Sequence, residues 1–145
     1  MAETLGSLCD KLTIVKLKQY HTGDTEKTAS LLEQQAQLIA EIDTYLADVS
    51  QNKIPMEKLT FAANKVYNAS GNQTRDFPGS MGDVFAQLAA INCELWHEQE
   101  KVYEFEKVAV ADKDQVVKKL AVLNLERTKC IDKINELLVK EFSKG

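Results

Sequence analysis

Leu88-Ala-Ala-Ile-Asn-Cys-Glu-Leu-Trp-His-Glu-Gln-Glu-Lys-Val102 is the stretch on which the reading of this chain turns. At about 100° per residue, Leu88, Ile91, Leu95 and Val102 share one face of a helix, and no period-two alternation competes with that pattern. Asn92 and Gln99 nevertheless lie inside the apolar stripe. The anomaly recurs along the chain. Arg127, Asn124 and Asn135 sit among Val116, Leu120, Ile131, Ile134 and Leu138; Gln35 sits among Leu31, Leu38, Ile42 and Leu46; Asp10 and His21 flank Ile14 and Leu17. A buried polar group left unbonded costs about 1–3 kcal/mol, and an unpaired charge costs more. These residues are therefore expected to meet one another inside the fold.

Helical periodicity extends over most of the 145 residues. The pattern predicts an all-α antiparallel bundle of four long helices in a single domain, 1–145, with one short helix and a long loop between the second and third long helices. The first helix is expected from Thr4 to His21. Thr22-Gly23-Asp24 interrupts it, glycine offering a left-handed stop and Asp24 or Thr25 a cap for the second helix, which runs to Gln51. A short helix from Met56 to Asn68 follows Pro55, and residues 68–80 form the loop. Ser80 and Asp83 have capping-box spacing at the start of a third helix reaching Val108, and Asp112 and Gln115 repeat that spacing before a last helix through Phe142.

Leu5, Leu8, Cys9, Leu12 and Val15 occupy one side of the first helix, and Thr13, Ile14 and Leu17 nearly the opposite one. A helix apolar on two sides is central, and this one is read as touching both its own neighbours and a second subunit. Counting equal steps of about 1.5 Å from a turn near Ala111 sets Asn92 beside Thr128 and Arg127, and Trp96 beside Asn124. The same count around Gly23 sets Asp10 near Gln35. Joining the two hairpins brings Asp10 to Arg127, within about 6 Å if the two interact as charges.

With 44% hydrophobic residues and a net charge of −4, the chain can build a core unaided and lacks the basic footprint of a nucleic-acid binder. Of its 18 basic residues only Arg75 and Arg127 are arginine, which makes Arg127 within an apolar stripe conspicuous. Cys9, Cys93 and Cys130 are odd in number and without CxxC spacing, so they read as reduced cysteines and not as a disulfide framework or zinc site. No signal segment begins the sequence, and no apolar run approaches the roughly 18 residues of a membrane span. The chain reads as cytoplasmic, and the sequons Asn68-Ala-Ser70 and Asn72-Gln-Thr74 read as loop markers.

Glu94-Leu-Trp-His97 has the ExxH spacing of carboxylate-bridged metal bundles, yet a second copy is missing and its polar side faces away from the apolar stripe. No metal and no cofactor is expected. Trp96 and Tyr103, seven residues apart, border the stripe as core or interface aromatics or as a stacking wall. Neither Cys9 nor Cys93 has a histidine at helical contact spacing on a shared buried face, so a cysteine nucleophile is not indicated.

Three stretches resemble a bacterial domain-of-unknown-function family: Leu8-Cys-Asp-Lys-Leu-Thr-Ile-Val-Lys-Leu-Lys-Gln-Tyr-His21, Ile91-Asn-Cys-Glu-Leu-Trp-His-Glu-Gln-Glu100 and Leu123-Asn-Leu-Glu-Arg-Thr-Lys-Cys-Ile-Asp132. That family pairs a D-K-L-[ST]-I-x-x-L-K segment with an N-x-x-L-W-x-x-[EQ] segment and a final N-x-x-R helix. The resemblance implies a bacterial protein and brings no activity with it. The positions that carry it are Asp10, Lys11, Lys18, His21, Asn92, Trp96, Asn124 and Arg127.

Two functions fit these residues. The first is an interaction or assembly module, a homo-oligomer with room for a protein partner, whose interior polar groups set helix register. The alternative is a small-molecule-binding protein or enzyme for an anionic or sugar-like ligand. In it Asp10 and Arg127 anchor, Gln35, Asn92, Gln99 and Asn124 orient, Trp96 stacks, and His21 is the acid/base candidate.

Overall fold

The computed structural model describes residues 3–61 and 74–143. The described residues form four long helices, α1 (Leu5–His21), α2 (Thr25–Ser50), α3 (Met81–Tyr103) and α4 (Lys113–Phe142), with short 3₁₀ turns at Met56–Lys58, Phe105–Lys107 and Val110–Asp112. The protein is all-α, as its periodicity predicts. No helix among the described residues is long and apolar enough to cross a membrane.

Local chemistry sets the helix ends, with three departures from expectation. Thr4 and Ser7 form a reciprocal capping box on α1, Asp24 accepts from the Glu26 and Lys27 amides, and Ser80 and Asp83 form the predicted box on α3. Gly23 does not supply a left-handed stop, because α1 already ends at Thr22 in extended conformation; Asn52, with φ of 59°, is the left-handed residue just beyond α2. Asp112 makes no side-chain cap, since its backbone already belongs to the 3₁₀ turn that leads into α4. α3 stops at Tyr103 and not at Val108, where Glu104 leaves helical conformation and a 3₁₀ turn takes over. Of the expected short helix, Met56–Lys58 is a 3₁₀ turn behind Pro55; its remainder, the sequons and most of the loop lie outside the described residues.

α1 is the central element. It packs against α2 on one side and against α3 and α4 on the other, while α3 and α4 pack on each other. Cross-helix hydrogen bonds give the directions. Gln19 reaches the Leu31 carbonyl and Lys16 reaches Gln35, whereas Thr4 and Gly6 meet Asn135 and Asp10 meets Arg127. As numbers rise along α1 they fall along both α2 and α4. Both sides of α1 meet helices of the same chain, with Leu5, Leu8, Cys9, Thr13 and Val15 buried and Ile14 and Leu17 half-buried. Val84, Leu88, Ile91, Ile134 and Leu138 fill the space between α3 and α4 and are almost wholly buried, together with Leu59 and Phe77 at either border of the undescribed segment.

α1 and α4 approach unusually closely at Gly6. A Cβ there would run into the Ile131 carbonyl and lie 2.9 Å from Asn135 Oδ1. Asn135 uses this proximity: its Oδ1 accepts from the Gly6 amide at 2.8 Å and its Nδ2 donates to Thr4 Oγ1 at 3.0 Å, satisfying one of α1's orphan amides. The polar residue that interrupts the α4 stripe is therefore a cap for another helix.

A second buried polar group fixes the chain where it re-enters at Thr74. Glu126, 3% exposed, accepts from the Arg75 amide, Nε and Nη2 at 2.8, 2.8 and 3.0 Å, and Arg75 also reaches Glu94 at 3.1 Å. Burial alone would raise the Glu126 carboxyl, but the Arg75 hydrogen bonds and the nearby Lys129 charge outweigh it and hold the pKa below the ordinary carboxylate value.

Two outcomes follow from these contacts. Gly6→Ala should lower unfolding free energy by about 1–3 kcal/mol in chemical denaturation, because the clash is with backbone that cannot swing away. The depressed Glu126 pKa means that its stabilisation is complete above the unfolded carboxylate value of about 4.3 and is lost as pH falls through the lower folded value. Glu126→Gln should therefore cost about 1.5–3 kcal/mol at neutral pH and much less in acid, read as a flattened acid limb in stability against pH.

Candidate functional site

Where α1, α3 and α4 face one another, four polar side chains close on each other. Asp10, 4% exposed, takes Arg127 in a two-point grip, Nε to Oδ1 at 2.8 Å and Nη2 to Oδ2 at 2.5 Å. Asn92 Nδ2 donates to Asp10 Oδ1 at 3.0 Å and to Thr13 Oγ1 at 2.7 Å, and the Thr13 hydroxyl donates to the Asp10 carbonyl at 2.7 Å. Both acceptors fix the Asn92 amide with its nitrogen inward, which leaves Asn92 Oδ1 buried without a hydrogen-bond partner among the described residues. Hydrogen bonds from its guanidinium to Asp10 raise the Arg127 pKa further above its usual value, more than burial lowers it. The expected meeting of Asp10 with Arg127 is thus found, and Asn92 joins it by bonding Asp10 itself.

Arg127 grips Asp10 through Nε and Nη2 only. Its side chain stays 35% exposed, and Nη1 has no protein acceptor among the described residues. It lines a cavity of about 390 Å³ between α1 and α2, with Asp10, Lys11, Lys18, Gln34 and Glu41 among the other walls. A second cavity of about 390 Å³ adjoins it, sharing Lys18 and Gln34 and adding His21, Thr22, Lys27, Ser30 and Trp96. Together they make one groove along α1, of the size that small molecules occupy. Lys11 is paired with Glu3, whereas neither Lys18 nor Lys27 forms an ion pair among the described residues. Glu41 is the groove's one carboxylate besides the neutralised Asp10.

Two rings wall the far end. The His21 imidazole lies on the Trp96 indole with centroids 4.6 Å apart and planes 9° apart, and Tyr20 meets His21 edge-on. Trp96 Nε1 donates to Glu100 Oε1 at 2.7 Å, one turn along α3, which orients the indole. Asp10 and His21 are eleven residues apart on α1 and so sit at opposite ends of the groove, about 16 Å along its axis.

The other expected site residues lie elsewhere. Gln35 bonds Lys16 on the exposed side of the α1–α2 contact, because the residues of α2 level with Asp10 that face the groove are Gln34, Gln37, Leu38 and Glu41. Gln99 is exposed; on that turn of α3 the buried polar residue is Glu98, held by Lys101 at 3.0 Å and by Lys119 of α4 at 3.2 Å. Asn124 donates to the Leu120 carbonyl of its own helix. Glu94 is taken by Arg75 and His97 is exposed, so the ExxH residues do not converge. Among the described residues no cluster of three or more metal-ligating side chains is assembled. Burial pushes the Cys9 thiol up to about 11 and the Cys130 thiol up to about 12, which keeps both protonated and part of the core at neutral pH.

Lys27, Gln34 and Thr13 complete this region without being among the residues expected from sequence. Lysine and glutamine on a helix surface carry no periodic anomaly, and only the packing of α2 on α1 turns them toward a common space. Thr13 had a signal, a hydroxyl three residues after Asp10 on the same turn.

Removing Arg127 strands a carboxylate that is 5% exposed. Arg127→Ala should cost about 3–5 kcal/mol in urea denaturation, and Asp10→Leu combined with Arg127→Met should recover much of that loss. Comparison of the chain with protein-family models, curated proteins and solved structures found no match.

Proposed function

We propose that this protein binds a small anionic molecule in the groove between α1 and α2. The observation that carries this reading is the imbalance of the groove walls: Lys18, Lys27 and the free edge of Arg127 face a shared space against a single unneutralised carboxylate, Glu41. The buried Asp10–Asn92–Thr13 network holds the Arg127 guanidinium in place before any ligand arrives, and such preorganisation lowers the cost of binding. Support also comes from the resemblance. Asp10, Lys11, Lys18, His21, Trp96 and Arg127, six of the positions that match the family pattern, all line this groove. On that resemblance we place the protein in an uncharacterised bacterial family, and the unpaired cysteines favour the cytoplasm. His21 sits at the Trp96 end, where it faces a ligand but not the Asp10–Arg127 pair, so the reading is of a binder and not of a defined catalyst.

Native mass spectrometry of gently purified protein tests the proposal. Wild type is expected to carry a small anion that Lys18→Ala loses while its circular dichroism is unchanged. Protein free of bound mass, and unmoved in thermal stability by millimolar anions, overturns the reading.

A second reading, assembly as a homo-oligomer, has its own observation. Leu32 and Ile39 are 54% and 43% exposed on the outer side of α2, with exposed Ala29 and Ala36 completing a seam at coiled-coil spacing. Glu33 and Asp43 lie on or beside that seam and set like charges against each other in a self-pairing, so we rank it second. The same spectrum decides it: a species near twice 16.3 kDa that Leu32→Gln converts to monomer supports it.

A further inference from the structure

We infer that the ligand is a small phosphate ester bearing a flat ring, its phosphoryl group between Lys18 and Lys27 and its ring packed against His21 and Trp96. This rests on the anion-binding reading above and narrows it.

The charge count comes first. The cavity at the Trp96 end has Lys18 on one wall and Lys27 on the other, and no aspartate or glutamate lines it. Neither ammonium is neutralised by a carboxylate among the described residues. Two unpaired positive charges match a phosphate monoester, which carries about −1.5 to −2 at neutral pH, better than a carboxylate with one. Lysine holds phosphate as a point charge, whereas a carboxylate is best recognised by the two-pronged edge of an arginine. The arginine of the groove, Arg127, lies at the other cavity and does not line this one. Thr22 and Ser30 place hydroxyl donors on the same walls for the remaining phosphoryl oxygens.

The ring follows from the geometry opposite the lysines. His21 and Trp96 lie parallel at 4.6 Å and both line the cavity, which gives a flat ring an aromatic surface to pack against. A volume of about 390 Å³ admits one ring and one phosphoryl group and is small for a long chain.

Trp96 is the only tryptophan, so its emission reports occupancy of this end of the groove. The experiment titrates the full chain with phenyl phosphate, inorganic phosphate and benzoate, following heat by calorimetry and Trp96 emission in parallel. Phenyl phosphate is expected to bind about tenfold or more tighter than inorganic phosphate, the gain that stacking one ring brings, and to change Trp96 emission. Lys18→Ala and Lys27→Ala should each weaken it, and His21→Ala should erase its advantage over inorganic phosphate. Equal binding of the two phosphates overturns the ring and leaves anion binding standing. Benzoate binding as tightly as phenyl phosphate overturns the phosphoryl assignment. Binding of none of the three overturns both this inference and the reading beneath it.

Discussion

The side-on ion pair between Asp10 and Arg127 is the contact on which the arrangement of the other helices depends. It joins the first helix to the last, and Asn92 brings the third to the same carboxylate. Apolar packing between helices tolerates sliding and rotation, because one leucine contact resembles the next; a carboxylate receiving three donors from two other helices does not. With Gly6 meeting Asn135 in the first turn of α1 and Asp10 meeting Arg127 one turn further, α1 is held against α4 at two heights. Register and rotation are then settled together. A buried pair of this kind contributes little net stability compared with a well-packed apolar substitute, so its value lies in selecting one packing among many.

That same contact explains why so much was visible in the chain. A charge among apolar residues at helical spacing has few ways to be satisfied, and Asp10 and Arg127 advertised themselves through that constraint, whereas the uncharged Asn92 did so by lying in the middle of its stripe. Hairpin counting placed Asn92 and Arg127 at one height, and both do reach the same Asp10 carboxylate, because α3 and α4 are regular on either side of their connection. The failures share a cause as well. Gln35, Gln99 and Asn124 are uncharged, and an amide at the edge of a stripe escapes burial with a small rotation of its helix. At Gln99 the local neighbour is α4, whose Lys119 draws in Glu98 instead. The groove itself was hidden because its cationic wall consists of ordinary surface lysines, made significant only by where α2 lies.

The two ends of the groove differ in kind. Around Arg127 the donors are fixed by a buried network and the surroundings are mixed in charge, with Glu41 opposite. Around Trp96 the cations are on long side chains and the rigid parts are the rings. A ligand therefore meets a preset guanidinium edge at one end and adaptable ammonium groups with a flat platform at the other. Lys18, shared by both cavities, is the side chain through which the ends communicate.

The attachment of α2 has a consequence for how this groove opens. Only Leu31 and Val49 of its 26 residues are fully buried, and its contacts among the long helices are chiefly with α1. Helices with so few buried contacts exchange with locally open forms at far lower free energy than the core beside them. The groove thus has one wall built into the buried core and another on the long helix with the fewest buried residues, joined to α1 by Thr22-Gly23-Asp24 and to the core through Val49. Amide hydrogens of α2 would exchange through local opening while those of α3 and α4 wait for global unfolding, and a ligand bridging the walls would couple that helix to the core.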